Sequence, residues 1–289
     1  MITSKDLLFI AGTKKGNEVT DQIAAAVNKY AALYGCTNRD RLAEFLGNVA
    51  HETGGFTRLA ENLNYSVSGL LTGFGRHRIS KVDAQDLGRT ASRPANQVGI
   101  ANAIYGGEFG RKELGNTKPG DGWKYRGSGP GQITGRANFE TVEKETGVPV
   151  VENPDLLRDP DIGTKAALIL WQKWGLNEMA DRGSTTPIRR RWNGGEKGLK
   201  EVTAAVARAK TLNLRVPVKP APAPVPTPKP DLPKVELPKI ELPPVKIPQK
   251  SGTPIGSGTA VLMAIGFGAA ATVAGWWHDF STWIGGVFQ

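Results

Sequence analysis

One cysteine, Cys36, stands in 289 residues, so no intrachain disulfide is possible, and no metal-ligand cluster accompanies it. It sits where a helix is expected to end (Tyr34-Gly35-Cys36-Thr37-Asn38), the place of a small buried hydrophobe rather than a nucleophile. A secretory leader is missing as well. Met1 to Gly12 carries Lys5, Asp6 and only a brief apolar run, too short and too charged for a signal peptide, so the chain is expected to begin in a cytoplasm. Strand signals are weak throughout, the clearest being Gly131-Gln132-Ile133-Thr134. A phosphate-binding glycine loop is excluded, because no Lys follows a GxxxxG at the required spacing.

What is present is length, positive charge and helical periodicity. The length allows one sizeable core plus appendages. The formal net charge of +10 suits an anionic partner. Nucleic acid, anionic lipid headgroups and cell-wall polymers all qualify, so charge alone does not choose among them. Residues 1–215 read as a mainly α domain. Its expected helices are Val19 to Tyr34, a segment ending at Glu52 and capped by Thr37 or Asn38, Pro94 to Tyr105, Asn138 to Thr146, Asp161 to Trp174 and Leu199 to Leu212. The apolar run Ile162, Ala166, Leu168, Ile169, Leu170 and Trp171 marks Asp161 to Trp174 as the central one.

At Val216 the composition changes. Residues 216–258 form a proline-rich linker with a five-residue repeat, Leu232-Pro-Lys-Val-Glu236, Leu237-Pro-Lys-Ile-Glu241 and Leu242-Pro-Pro-Val-Lys246. Such proline density enforces an extended polyproline II spacer, about 3.1 Å per residue and roughly 100 Å in reach. Residues 259–289 follow as a hydrophobic anchor segment. Thr259 to Trp277 carries no charged residue and is long enough for a transmembrane helix. Lys246 and Lys250 precede it and no Lys or Arg follows, which by the positive-inside rule puts the N-terminal domain on the cytoplasmic side. The rival reading is an apolar segment buried in an oligomer or virion.

Within the N-terminal domain, Leu42, Phe45, Leu46, Val49 and Ala50 make the i, i+3, i+4, i+7, i+8 stripe of a helix buried on one face. At about 100° per residue, Glu52 falls beside that stripe and His51 opposite it, which makes His51 structural. Gly54 and Gly55 then stop the helix. A carboxyl half covered by apolar neighbours has its pKa raised by desolvation, as a general acid near neutral pH requires. Glu61 lies nine positions on, and the glycine break lets Ala60 to Ser66 fold back so that both carboxylates face one groove. That is an arrangement for cleaving a glycosidic bond.

Further patches follow. Gly120 to Phe139 mixes aromatics, glycines, amides and hydroxyls, the side chains that cover sugar faces and pair with sugar hydroxyl and N-acetyl groups. Asn153-Pro154-Asp155-Leu156-Leu157 forms a turn ahead of the central helix, and Trp192-Asn193-Gly194-Gly195 a ring and an amide on a glycine bend. AHETGGF (50–56), ENLNYS (61–66), GDGWKYRGSGPGQITGRANF (120–139), NPDLL (153–157) and WNGG (192–195), in this order, resemble glycoside hydrolase family 19. This chitinase-type family includes many phage endolysins, and the resemblance spans Leu42 to Leu212.

The resemblance implies a lysozyme-like, mainly α catalytic domain with a deep sugar cleft. It implies Glu52 as the general acid, Glu61 as the base acting on water, and Thr134 as a holder of that water. Gln132, Asn138 and Asn193 would bind the sugar, with Tyr125 and Trp192 lining the cleft. In the chitinases the second carboxylate stands farther along the chain; the endolysin-like pattern places it at Glu61. Ser128 and Gly131 depart from the usual RG-R-G motif and its apolar residue before the Gln. Inversion at the anomeric carbon is implied, which needs carboxyl groups about 6.5–9.5 Å apart. Arg189, Arg190 and Arg191 would either contact wall anions or form a solvated basic face.

The expectation is thus a peptidoglycan hydrolase of endolysin type, needing no metal or cofactor. Its partners would be glycan strands and a membrane or virion, with no nucleic acid. Chitin as substrate, a lytic transglycosylase using Glu52 alone, and a non-catalytic wall-binding protein are the alternatives.

Overall fold

In the computed structural model residues 1–217 are described; 218–289, with most of the proline-rich linker and all of the apolar segment, lie outside the described residues. The described residues form thirteen α-helices, two short 3-10 turns and no strand, which meets the mainly α expectation. The expected strand at Gly131–Thr134 is reduced to a single bridge between Ser128 and Ile133. None of the described helices is long and apolar enough to cross a membrane.

The chain begins with α1 (Ser4–Ala11), α2 (Glu18–Tyr30) and α3 (Arg39–Glu52). Asn38, rather than Thr37, caps α3, its side chain accepting from the Arg41 amide at 2.9 Å. The glycine-rich middle holds α4 (Val67–Gly73), α5 (Lys81–Leu87), α6 (Gln97–Ile104) and α7 (Gly107–Glu113), of which only α6 was expected. Then come α8 (Asp121–Lys124), α9 (Arg136–Thr146), α10 (Pro160–Lys173), α11 (Leu176–Asp181), α12 (Thr185–Asn193) and α13 (Leu199–Lys210). Pro160 opens α10, and Asp159 caps it by accepting from the amides of Asp161 and Ile162, both at 2.9 Å.

Three buried clusters hold these helices. In the first, α1, α2, α3, α13 and the end of α10 bury Leu7, Ile10, Val27, Leu46, Val206 and Trp171. Phe45 of α3 meets Trp171 edge-on at 5.4 Å and Trp192 at 6.3 Å. Gly47 allows α3 and α13 their close approach, since a Cβ there would stand 2.5 Å from Val206 Cγ2. Leu214 and Val216 also belong to this core, so its packing runs just past the start of the expected linker. The second cluster sits under the long central motif and joins Tyr125, Ile133, Phe139 and Val142 to Leu157 and Leu170. The third, with Leu63, Leu70, Ile79, Ile100 and Ile104, unites α4, α5 and α6. Each such side chain contributes about 1.5–3 kcal/mol by leaving water. Glu52 therefore belongs to a helix of the first core, and Glu61 to a stretch whose next apolar residue, Leu63, anchors in the third.

Candidate active site

The turn after α3 is built by Thr53. Its buried hydroxyl donates to the Val49 carbonyl at 2.6 Å and accepts from the Phe56 amide at 2.7 Å. Gly54 (φ 60°), Gly55 (φ 85°) and Phe56 (φ 63°) all take left-handed conformations, which two glycines accept without steric cost and which the burial of Phe56 secures at the third. Glu52 is left on the last turn of α3 with its side chain 15% exposed. Its neighbour is a cation rather than the apolar surface expected from helical periodicity. Oε1 accepts from Arg189 Nη1 at 2.6 Å. Arg189 is 1% exposed and also donates to Asn48 Oδ1 at 3.3 Å and to the Lys197 carbonyl at 2.8 Å. The arginine run is accordingly not one surface. Arg189 is interior, Arg190 pairs with Glu196, and Arg191 donates to the Trp174 carbonyl at 3.0 Å.

Glu61 is held by the central motif. Its amide donates to the Gly127 carbonyl at 3.0 Å, and the Gly129 amide donates to the Leu59 carbonyl at 2.7 Å, so residues 59–61 run along 127–129. On the side chain, Oε1 accepts from the Tyr105 hydroxyl at 2.6 Å and Oε2 from the Gly127 amide at 3.0 Å. Burial pushes the Glu61 carboxyl up from its ordinary value, while Tyr105, the Gly127 amide, Arg78 and Arg126 pull the other way without cancelling it.

The loop from Gly127 to Gly135 brings the sugar-binding candidates beside it. Ser128 and Ile133 exchange amide-to-carbonyl bonds of 3.1 and 2.9 Å around Gly129-Pro130-Gly131-Gln132. Gln132 is left-handed (φ 46°), a costly conformation for a non-glycine residue, and its Nε2 donates to the Gly129 carbonyl at 3.1 Å. A Cβ on Gly127 would lie 2.9 Å from Gln132 Oε1 and 3.1 Å from Glu61 Oε2, so both polar groups crowd a position only glycine leaves open. Thr134 donates to the Gln132 carbonyl at 3.0 Å, and Asn138 Nδ2 to the Thr134 carbonyl at 2.9 Å. Glu61, Gln132, Thr134 and Asn138 are therefore linked through one loop.

Two expected cleft-lining rings are placed otherwise. Tyr125 is fully buried, its ring 5.1 Å from Phe139 and its hydroxyl donating to the Val151 carbonyl at 3.0 Å, so it supports the loop from beneath. Trp192 is 9% exposed and packs among Phe45, Trp171 and Trp174. Asn193, the last residue of α12, is exposed, and Gly194 (φ 73°) ends the helix there. His51 lines a small pocket with Glu201 and Arg208 beside α13, and burial lowers its pKa. Sequence reasoning did not single out Tyr105, and it left Arg189 between two surface roles. A usable signal existed for Arg189: Thr185 and Arg189 repeat the i, i+4 spacing of Glu44, Asn48 and Glu52, which they meet. None marked Tyr105. Among the described residues no His, Cys, Asp and Glu group is arranged to hold a metal ion.

A protein of Haemophilus influenzae described as a glycosyl hydrolase family 19 domain-containing protein is 38% identical over 167 residues, 58% of this chain and 77% of that protein. The chain belongs to glycoside hydrolase family 19. Its membership makes it a glycosidase. No family model matches the sequence. Solved family-19 structures align at low identity. A bacterial chitinase is 18% identical with a TM-score of 0.46, over 74% of this chain and 96% of that one. A class IV chitinase of Zea mays is 18% identical with a TM-score of 0.42, over 71% and 89%. Chitinase C of Streptomyces griseus is 17% identical with a TM-score of 0.41, over 72% and 73%.

Proposed function

We propose that this family-19 chain hydrolyses the β-1,4 linkages of peptidoglycan glycan strands in the manner of an endolysin, with inversion at the anomeric carbon. The carrying observation is the pair of carboxylates in contrasting settings, Glu52 on a buried guanidinium and Glu61 desolvated between a phenol and a backbone amide. Glu52 gives its proton to the glycosidic oxygen as the bond from that oxygen to the anomeric carbon breaks. Water attacks the carbon from the opposite face, and its proton passes to Glu61. A carboxylate with a raised pKa is a better proton acceptor than an ordinary one, so burial of Glu61 serves the base role. Arg189 occupies Glu52 Oε1, so in this reading the transferred proton is carried on Oε2. Thr134 holds the water and Gln132, Asn138 and Asn193 bind the sugar, in the lysozyme-like groove that the family implies.

Peptidoglycan is favoured over chitin by the net charge of +10, which attracts a wall polymer bearing carboxylates and gains nothing from a neutral one. The proline-rich stretch and the uncharged run 259–277 support a tether to the inner membrane of a bacterial host or to a virion, though both lie mostly or wholly outside the described residues.

Digestion of purified sacculi and of colloidal chitin side by side, with mass spectrometry of the released fragments, tests this reading. We expect muropeptides with intact reducing ends. Anhydro products would replace hydrolysis with transglycosylation, and release from chitin alone would restore the chitinase reading.

A further inference from the structure

The geometry points to Tyr105 as the positioning residue of this hydrolase, fixing the orientation of the Glu61 carboxylate and setting the pH at which it becomes a competent base. The inference rests on the assignment of Glu61 as base. Each Glu61 oxygen is engaged once, Oε1 by the Tyr105 hydroxyl at 2.6 Å and Oε2 by the Gly127 amide at 3.0 Å. A carboxylate oxygen has two lone pairs, so one on each remains for water, and the two donors together stop the carboxylate plane from rotating.

Tyr105 is itself rigidly mounted. It closes α6, its amide donating to the Ala101 carbonyl at 2.9 Å and its carbonyl accepting from Asn116 Nδ2 at 2.9 Å. The Arg78 guanidinium lies 5.5 Å from its ring centroid, 4.2 Å from that of Phe109 and 5.1 Å from that of Phe74, while Arg78 Nε donates to the Ile104 carbonyl at 2.9 Å. Burial and the Glu61 charge hold the phenol well above its usual pKa, so it stays a donor throughout the working range.

The other titratable groups facing Glu61 are Arg78 ahead of α5, Arg126 after α8 and Tyr65 ahead of α4. The two arginines act on Glu61 through space, whereas Tyr105 is the one side chain among the described residues that donates a hydrogen bond to its carboxylate. Donation to the charged form favours it, so loss of the hydroxyl moves the onset of activity to higher pH.

The test is the pH profile of kcat/KM on solubilised glycan strands from peptidoglycan, for the wild type, Tyr105→Phe and a protein carrying 3,5-difluorotyrosine at position 105. The acidic limb should rise by about one pH unit in Tyr105→Phe, with rates about tenfold lower below the limb and a smaller loss persisting above it, where the carboxylate is charged but free to rotate. Difluorotyrosine, a stronger donor of almost the same shape, should move the limb down. Superimposed profiles overturn the inference, and if Tyr105→Phe fails to fold the fluorinated protein decides alone. Full activity in Glu61→Gln would instead remove Glu61 from the base role, a failure recognisable without any Tyr105 variant.

Discussion

Glu61 and Glu52 differ in what surrounds each carboxylate, and each difference has a consequence. Burial raises the Glu61 carboxyl above its unfolded value, so folding gains from this group below the unfolded pKa and loses that gain as pH rises through the folded one. Glu61→Gln should therefore raise Tm at pH 7 relative to the wild type and change it little at pH 4, while turnover falls by about 10²–10⁴. Thermal melts at the two pH values with parallel activity assays check the sign. Arg189→Met acts oppositely. It leaves Glu52 and Asn48 facing an uncompensated interior and should cost about 3–5 kcal/mol in urea unfolding. The two carboxylates could be singled out as candidates in the sequence because each stands in a short motif, AHETGGF (50–56) or ENLNYS (61–66). Their partners could not, because Tyr105 lies 44 residues from Glu61 and Arg189 137 from Glu52, distances over which only the fold decides contact. Tyr125 was legible as an aromatic in a polar motif, but its direction was not. It ends the four-residue α8, too short for a periodic pattern to say which face is buried.

The long helices α3, α9, α10 and α13 follow from apolar spacing, with ends displaced from expectation by two residues or fewer. Where α2 stops at Tyr30, the predicted helix runs on; residues 31–34 continue as a 3-10 turn that Gly35 closes. The glycine-rich stretch hid α4, α5 and α7, of seven residues each, because so short a helix displays barely two turns of any stripe. Gly47 likewise has no meaning in the sequence, being a poor helix former within α3; the α13 contact supplies it. Gly47→Ala should destabilise by about 1–3 kcal/mol through the clash with Val206, although alanine is the better helix former. In the Gly127–Gly135 loop, Gln132→Gly should leave stability within about 1 kcal/mol, since relief of the left-handed strain offsets glycine's greater unfolded entropy. The same variant should lose sugar binding, read as a higher KM.

Taken whole, residues 1–217 contain three cores, the first two of which share α10. A chain cut after residue 217, which keeps Val216 in its core, should unfold cooperatively and retain hydrolysis of soluble strands. Separate unfolding transitions in calorimetry would contradict that unity. Because the net charge is +10, wall digestion should weaken as salt rises from 50 to 500 mM, order-of-magnitude bounds set by screening, while cleavage of neutral oligosaccharides should not. In the proposed mechanism two carboxylates flank one bond, one donating a proton and the other activating water. Proton NMR of the product anomer in the first minutes of cleavage reads that arrangement most directly. The α-anomer should form first and relax toward the equilibrium mixture, whereas an initial β-anomer would mean a covalent or neighbouring-group route and would contradict the roles given to Glu52 and Glu61.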